Sequence, residues 1–427
     1  MRRCSAMSLA VASAMLSTSM FGAGFALYEG SAKGTALGGA VMGKAVDGSA
    51  NFYNPATMAD FTNTVVTVGF VTEHPTADTV IDGHLGNKMD PGAFLLPHFH
   101  LVQPLPYGFA FGLGFAPEFG LGTHYNPGWE MDWNTQKTTV RGLTLTPNLS
   151  YSITEDWSVS AGFRMLYFDF EQHSYQYTGA RNLDGSLNRG RFRLKGDNAF
   201  TDWGWQVSTR YRVTDTFSVG AMYKSYIDSR IKGEARMSGA GNAIVGLGPT
   251  GPVIANVDRM ASGDASADIR LPQSVTIGAN WDALDTLHLG AALTWTEWSS
   301  MPAINFNLPT GRKPTNLDWD DVFRIGFGGT WDFHENFSLL GSYVFDMDPC
   351  STKDNVGSTM LPPGDRHIGT VGLAWHYGPI DVTLSYGIVF MCSESVNYKN
   401  PATGRYVKFE TENGLSQAVG LSMTYAF

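Results

Sequence analysis

The last ten residues, Ala418-Val419-Gly420-Leu421-Ser422-Met423-Thr424-Tyr425-Ala426-Phe427, alternate without a fault. Val419, Leu421, Met423, Tyr425 and Phe427 are large and apolar; Ala418, Gly420, Ser422, Thr424 and Ala426 are small or polar. A period of two places the first set on one face of a β-strand and the second on the other. A soluble sandwich would carry long charged side chains on its second face. Small residues there suit a strand with lipid on one side and a crowded lumen on the other.

The same rule recurs backwards along the chain. Val382, Leu384, Tyr386, Ile388 and Phe390 oppose Asp381, Thr383, Ser385 and Gly387, and Leu287, Leu289, Ala291, Leu293 and Trp295 oppose His288, Gly290, Ala292, Thr294 and Thr296. Segments near 203–213, 271–281, 323–333 and 368–377 follow suit. Connections alternate in length. Short turns occur at Thr154-Glu155-Asp156, Thr214-Asp215-Thr216, His334-Glu335-Asn336 and Tyr377-Gly378-Pro379. Long polar or Gly-rich stretches fall near 178–190, 235–262, 308–318, 349–365 and 398–416. Short turns at one rim and long loops at the other are outer-membrane topology. Aromatics of outward parity end the strands at the short-turn rim: Tyr151, Tyr211, Trp281, Trp331, Phe333, Trp375, Tyr377, Tyr425 and Phe427. They read as an interfacial girdle. The pattern predicts an all-β fold, a transmembrane antiparallel β-barrel of about 14 strands.

Composition agrees. Charged residues are 16% of the 427, against about a quarter in soluble domains, while Gly reaches 49 and mean hydropathy is only −0.11. Beyond the first 25 residues no apolar run approaches the ~20 residues of a membrane helix. The net charge of −10 excludes a general nucleic-acid surface. Met1-Arg2-Arg3, a weakly polar stretch from Ala6 to Phe21 and then small residues predict a secretory signal over 1–26, with Gly24-Phe25-Ala26 fitting the small-x-small rule best. Residues 27–60 break the strand pattern: six glycines between Gly30 and Gly48 accompany Leu37, Val41, Met42, Phe52, Tyr53 and Met58. They are expected to form an N-terminal hatch inside a barrel made by 61–427.

Ala23-Gly24-Phe25-Ala26-Leu27-Tyr28-Glu29, a Gly/Ala-rich stretch with Asp47, and Asn54-Pro55-Ala56 resemble the hatch of the FadL/TodX family. Asn148-Leu149-Ser150-Tyr151, Tyr223-Lys224-Ser225, Leu271-Pro272, Asp321-Val322-Phe323-Arg324-Ile325 and Leu361-Pro362-Pro363-Gly364-Asp365-Arg366 extend the resemblance over essentially the mature chain. It implies a fourteen-stranded plugged barrel for passive uptake of long-chain fatty acids or aromatic hydrocarbons. Ligand would be captured among extracellular loops, held in a lumenal pocket and released sideways through the wall. The capture loops would fall near 178–190 and 235–262, the second carrying Met237, Ile244, Val245, Leu247, Val253, Ile254 and Met260.

Parity places Arg164, Arg210, Lys224, Arg270, Arg324 and Arg366 in the lumen. Any of them could hold a ligand carboxylate, with Arg164 and Lys224 preferred; the alternative is pairing with Asp332, Asp346 or Asp47. His98 and His100 read as a plain strand pair rather than a metal site, and no Gly-x-Ser-x-Gly elbow marks a hydrolase. Neither an enzyme nor a cofactor is expected. A non-selective porin is the rival reading. Cys350 and Cys392, in an oxidising compartment, are candidates for a disulfide, with two unpaired thiols as the alternative. The expected partners are a hydrophobic small molecule, outer-membrane lipid and lipopolysaccharide, with the protein a monomer.

Overall fold

The computed structural model describes residues 24–427. Fourteen antiparallel strands make the wall: β1 Val65–Ile81, β2 Phe94–Pro104, β3 Phe109–His124, β4 Lys137–Ser152, β5 Trp157–Arg181, β6 Asp202–Thr214, β7 Phe217–Lys224, β8 Ser274–Leu284, β9 Leu287–Thr296, β10 Val322–His334, β11 Phe337–Asp346, β12 Arg366–Tyr377, β13 Ile380–Met391 and β14 Tyr406–Ala426. Each pairs with its neighbour, and β1 closes on β14 from Val65↔Ala426 to Ile81↔Phe409. Closure leaves no edge to meet lipid. The predicted girdle is on the outside: Trp281 is 49% exposed and Tyr377 65%. The four short turns stand where the alternation placed them.

The long connections differ from expectation. Residues near 178–190, 235–262, 308–318 and 398–416 are largely strand: β5 runs on to Arg181 and turns straight into Leu187–Asp197. Leu187–Asp197, Ile227–Ser238, Gly263–Leu271 and Ala303–Leu308 pair in succession into a sheet above the wall. Their Gly and polar residues resemble loop, but cross-strand partners far along the chain satisfy their backbone. Parity also flips on leaving the wall. Outward residues are odd-numbered in β8, whereas in Gly263–Leu271 the odd Ile269 and Leu271 are buried and Arg270 is exposed. Pro272 and Gln273 interrupt the strand and reset the alternation, so Arg270 faces outside, on Asp228, and not the lumen.

The N-terminal segment lies within the barrel. Helix α1 (Ala32–Ala36), helix α2 (Ala50–Tyr53) and a 3-10 turn (Pro55–Asp60) are short and almost wholly buried. Small lumenal residues permit this closeness. A Cβ added to Gly220 would stand 2.0 Å from the carbonyl oxygen of Met42, and one on Gly290 2.0 Å from that of Ala40. Gly112, Gly278, Gly328, Gly372 and Gly420 meet the same segment on five other strands. Residues 1–23, most of the expected signal, lie outside the described residues. Phe25, which the small-x-small rule places at the end of the signal, is 6% exposed in the core.

Cys350 and Cys392 do not bridge. Cys350 is a free thiol whose Sγ faces the Leu361 carbonyl at 3.9 Å, while the Cys392 N–H donates to the Asp365 carbonyl. The two cysteines thus engage opposite ends of the 361–365 segment. Burial, with Asp348 beside it, pushes the Cys350 thiol well above its ordinary range.

Gly290→Val should leave a closed barrel but crowd the segment, at a cost of about 1–3 kcal/mol. Heat-modifiability on a gel should be retained. Trypsin should then cut at Lys33, whose side chain is 11% exposed in the wild-type fold.

Candidate functional site

The site begins with one extra residue. The β3–β4 ladder shifts register between Pro117 and Phe119, leaving Glu118 as a bulge. A bulge bends its strand and re-aims side chains. Below it Phe109, Phe111, Leu113 and Phe115 alternate with the buried Ala110 and Ala116; above it Phe119, Leu121 and Thr123 turn inward and are buried. The β2–β3 ladder ends at the same height, at Phe99↔Phe115, although β2 continues to Phe94 and β3 to His124. The wall therefore has a gap between upper β2 and upper β3. Pro97 and Pro117, which bring no N–H to leave unpaired, stand at its base. From inside, the N-terminal segment covers the freed edge: the Leu27 N–H donates to the Glu118 carbonyl and the Gly120 N–H to the Phe25 carbonyl, both at 2.8 Å.

An apolar pocket adjoins the gap. Phe25 sits at its centre, with ring centroids 4.9 Å from Trp298, 5.9 Å from Phe119, 6.0 Å from Trp319 and 6.4 Å from Phe168. Leu121, Ile231, Phe306 and Met360 complete it. Phe306 and Met360 are shared with a 280 Å³ groove nearer the extracellular side, where Trp133, Phe192 and Leu194 lie beside Gln172, Lys313 and Lys399. Neither Lys313 nor Lys399 stands out in the alternation, because both fall in stretches that read as loop.

The lumenal cations are already engaged. Glu118 takes both preferred residues, with Arg164 Nη2 at 2.8 Å from its Oε2 and Lys224 Nζ on its Oε1. Arg164 also donates to the Ser225 carbonyl at 2.8 Å, and the Lys224 ammonium lies 4.4 Å from the Phe52 ring centre. The acid is neither Asp332, Asp346 nor Asp47, because the bulge that turns Glu118 inward leaves no trace in the alternation. Arg324 donates to the Gly38 carbonyl at 3.0 Å and covers the Tyr28 ring at 4.2 Å. Arg366, fully buried, stands 4.0 Å from Asp346 and 3.9 Å from Asp348, and Arg210 pairs with Asp60. Arg324 and Arg210 thus tie the N-terminal segment to the wall, whereas the Glu118 and Arg366 pairs join parts of the barrel to one another.

Asn54-Pro55-Ala56 is the firmest dock. Asn54 Oδ1 accepts from the Ala56 N–H at 3.1 Å, and its Nδ2 donates to the carbonyls of Met42 (2.6 Å) and Thr209 (3.1 Å). The Ala56 N–H also meets Ser208 Oγ at 3.0 Å, and Ser158 Oγ donates to the Ala56 carbonyl at 2.8 Å. Pro55 starts the 3-10 turn, where its missing N–H costs nothing. His98 and His100 serve the same end: His98 Nε2 lies 2.8 Å from Ser422 Oγ and His100 Nε2 2.7 Å from the Gly30 carbonyl.

At the short-turn rim, eight side chains form an unbroken polar chain beside a cavity of about 710 Å³. It runs Lys33–Asp381 (2.5 Å), His376 (2.8 Å), Ser338 (2.8 Å), Asp332 (2.5 Å), His288 (3.1 Å), Asp282 (2.5 Å) and Lys44 (2.6 Å). Ser338, His376 and Asp381 follow the order of a hydrolase triad. The Ser338 hydroxyl, however, also lies against Asp332, which competes with His376 for its single proton.

Residues 13–427 match the family model of the outer membrane protein transport proteins (OMPP1/FadL/TodX). The chain belongs to the FadL/TodX family. It is 24% identical to the long-chain fatty acid transport protein of Escherichia coli O6:H1, over 98% of both chains, and 23% identical to outer membrane protein P1 of Haemophilus influenzae, over 84% and 82%. A Pseudomonas aeruginosa FadL homologue shares the fold with a TM-score of 0.80 at 20% identity, covering 95% of this chain and 100% of that one. The Ralstonia pickettii toluene transporter TbuX does so with 0.67 at 15%, covering 93% and 98%. Like its FadL/TodX relatives, the chain is an outer-membrane barrel of a Gram-negative cell. Of the apolar residues expected to form a second capture region, Met237 points into the core, whereas a hairpin of Asn242–Gly248 and Gly251–Asn256 holds Val245, Leu247, Val253 and Ile254 39–86% exposed, with Ile244 opposite Arg181.

Two outcomes follow from these contacts. Glu118→Gln leaves two buried cations without a counter-charge and should cost roughly 3–5 kcal/mol in urea unfolding from micelles, whereas Lys224→Met, which leaves Arg164 and Glu118 paired, should cost far less. Asn54→Ala with Pro55→Ala should keep the barrel folded at wild-type surface level, and uptake by cells should fall severalfold.

Proposed function

We propose that this protein admits long-chain fatty acids or similar hydrophobic molecules passively across the outer membrane, with no catalytic step. The wall gap at Glu118, opening beside an apolar pocket centred on Phe25, is the observation that carries this reading. A hydrophobic solute has no reason to cross the aqueous periplasmic mouth when a lateral path leads from the pocket into the bilayer. The exposed hairpin carrying Leu247 and Ile254 would capture ligand, and the groove with Lys313 and Lys399 would receive its head. The N-terminal segment acts as the hatch. It fills the interior that a non-selective porin would leave open. Phe25 must then survive processing, so the signal cut is placed before Gly24 rather than after Ala26. The toluene transporter's likeness is of fold; two lysines at the groove favour an anionic amphiphile over a neutral aromatic ring.

Lys313→Ala with Lys399→Ala should therefore weaken oleate binding by at least about 1.5 kcal/mol, the scale of a charged hydrogen bond, while scarcely changing toluene binding. Calorimetric titration of the purified protein with both ligands checks this. Equal losses would show a damaged groove, and no loss for either would place the carboxylate elsewhere.

A further inference from the structure

Above the membrane, one outward face of the extracellular sheet differs in charge from the rest of the chain. It spans the upper parts of β4 and β5 and the strands Leu187–Asp197, Ile227–Ser238 and Gly263–Leu271. Outward parity there brings eleven Lys and Arg against seven Asp and Glu, in a chain whose net charge is −10. The position of this face is set by rings. Phe163, Trp203, Trp205 and Tyr226 are 45–61% exposed directly beneath it, and Arg270 lies over Tyr226 at 4.5 Å. Such rings mark the membrane interface, so the charged face rises from the level of the outer-leaflet head groups.

Its register is more telling than its charge. Lys137 pairs across strands with His173, His173 with Arg193, and Arg193 with Arg236. This is a row of four basic side chains on neighbouring strands with no carboxylate in it. Like charges directly opposite one another destabilise a sheet. Arg191, one step up, donates to the Tyr175 hydroxyl at 2.7 Å, and neither it, Lys195 nor Lys232 has an ion-pair partner among the described residues. Three of the four share one half-buried acid, Glu171, with Lys137 at 3.6 Å, His173 at 3.0 Å and Arg193 at 2.6 Å, while Arg236 has only Glu234, in a pair exposed enough to be worth little. A sheet that breaks a local rule this way usually does so at a functional surface.

We propose that this face, centred on Arg191, Arg193 and Arg236, binds a phosphorylated glycolipid of the outer leaflet through its phosphate groups. A phosphate supplies acceptor oxygens and negative charge beyond the one carboxylate that three of these groups share, and guanidinium forks suit it. The acyl chains would then lie along the lipid-facing wall below, past Trp203 and Phe163. The inference rests on the barrel's place in the membrane and is independent of what the barrel carries.

The test uses the full protein in glycolipid-free detergent, titrated with lipopolysaccharide bearing a phosphorylated lipid A and inner core, and read by native mass spectrometry. Arg191→Gln with Arg193→Gln and Arg236→Gln should weaken binding at least tenfold, while Lys at the same three positions should keep most of it. The dephosphorylated glycolipid should bind wild type no better than the intact one binds the Gln variant. Inorganic phosphate at matched concentration should not compete. Heat-modifiability shows that each variant is folded. Arg193→Gln should also raise the thermal midpoint without glycolipid and lose the rise that glycolipid gives the wild type. Undiminished binding by the folded Gln variant, equal binding of the dephosphorylated lipid, or displacement by free phosphate would each overturn the proposal.

Discussion

A backbone amide or carbonyl in lipid has nowhere to turn but to another backbone group. The rest of this molecule depends on that constraint. It forces fourteen strands into a closed ring, with Val65 beside Ala426. It also explains why the break at the top of the β2–β3 ladder is so carefully managed. The β2–β3 ladder stops where Glu118 bulges, prolines stand at the base of the gap, and the N-terminal segment lends an N–H and a carbonyl to the edge of β3. An opening to the bilayer exists because a third piece of chain satisfies the edge from within.

That piece of chain can approach only because the lumenal face is made of small residues. Seven wall strands offer glycines to the N-terminal segment, and three of them leave no room for a Cβ against a carbonyl oxygen. With backbone so close, polar side chains do the fastening. Asn54, Asn51 and His100 bond carbonyls directly; Asn51 Nδ2 reaches the Thr146 carbonyl at 3.0 Å. Lys33 and Lys44 tie the segment to the polar chain at the periplasmic mouth. Loosening any one contact leaves the others, so the segment is held by distribution rather than by a single latch.

Charge is divided by location. Inside, cations meet carboxylates or carbonyls and serve architecture: Arg164 and Lys224 on Glu118, Arg324 on Gly38, Arg210 on Asp60. Burial makes such pairing obligatory, since a lone charge out of water is costly. Outside the membrane that compulsion lapses. Arg191 and Lys195 can stand without a carboxylate, and Lys313 and Lys399 can line a groove that remains open to solvent and ligand.

The alternation of residues such as Val419 and Gly420 was by itself enough to determine strands, their two faces, the short-turn rim and the aromatic girdle. These are local properties, set by a period of two and by the solvent on each side. Asn54-Pro55-Ala56 was likewise legible as a dock, because its chemistry acts over three residues. Tertiary structure alone decided the rest. Glu118 became the partner of Arg164 through one bulged residue that the alternation does not record. Arg270 faced outward because Pro272 reset the parity. Cys350 stayed a free thiol, its Sγ facing the Leu361 carbonyl. In every such case the deciding partner lies far along the chain, and a pattern of period two carries no information about which strands will meet.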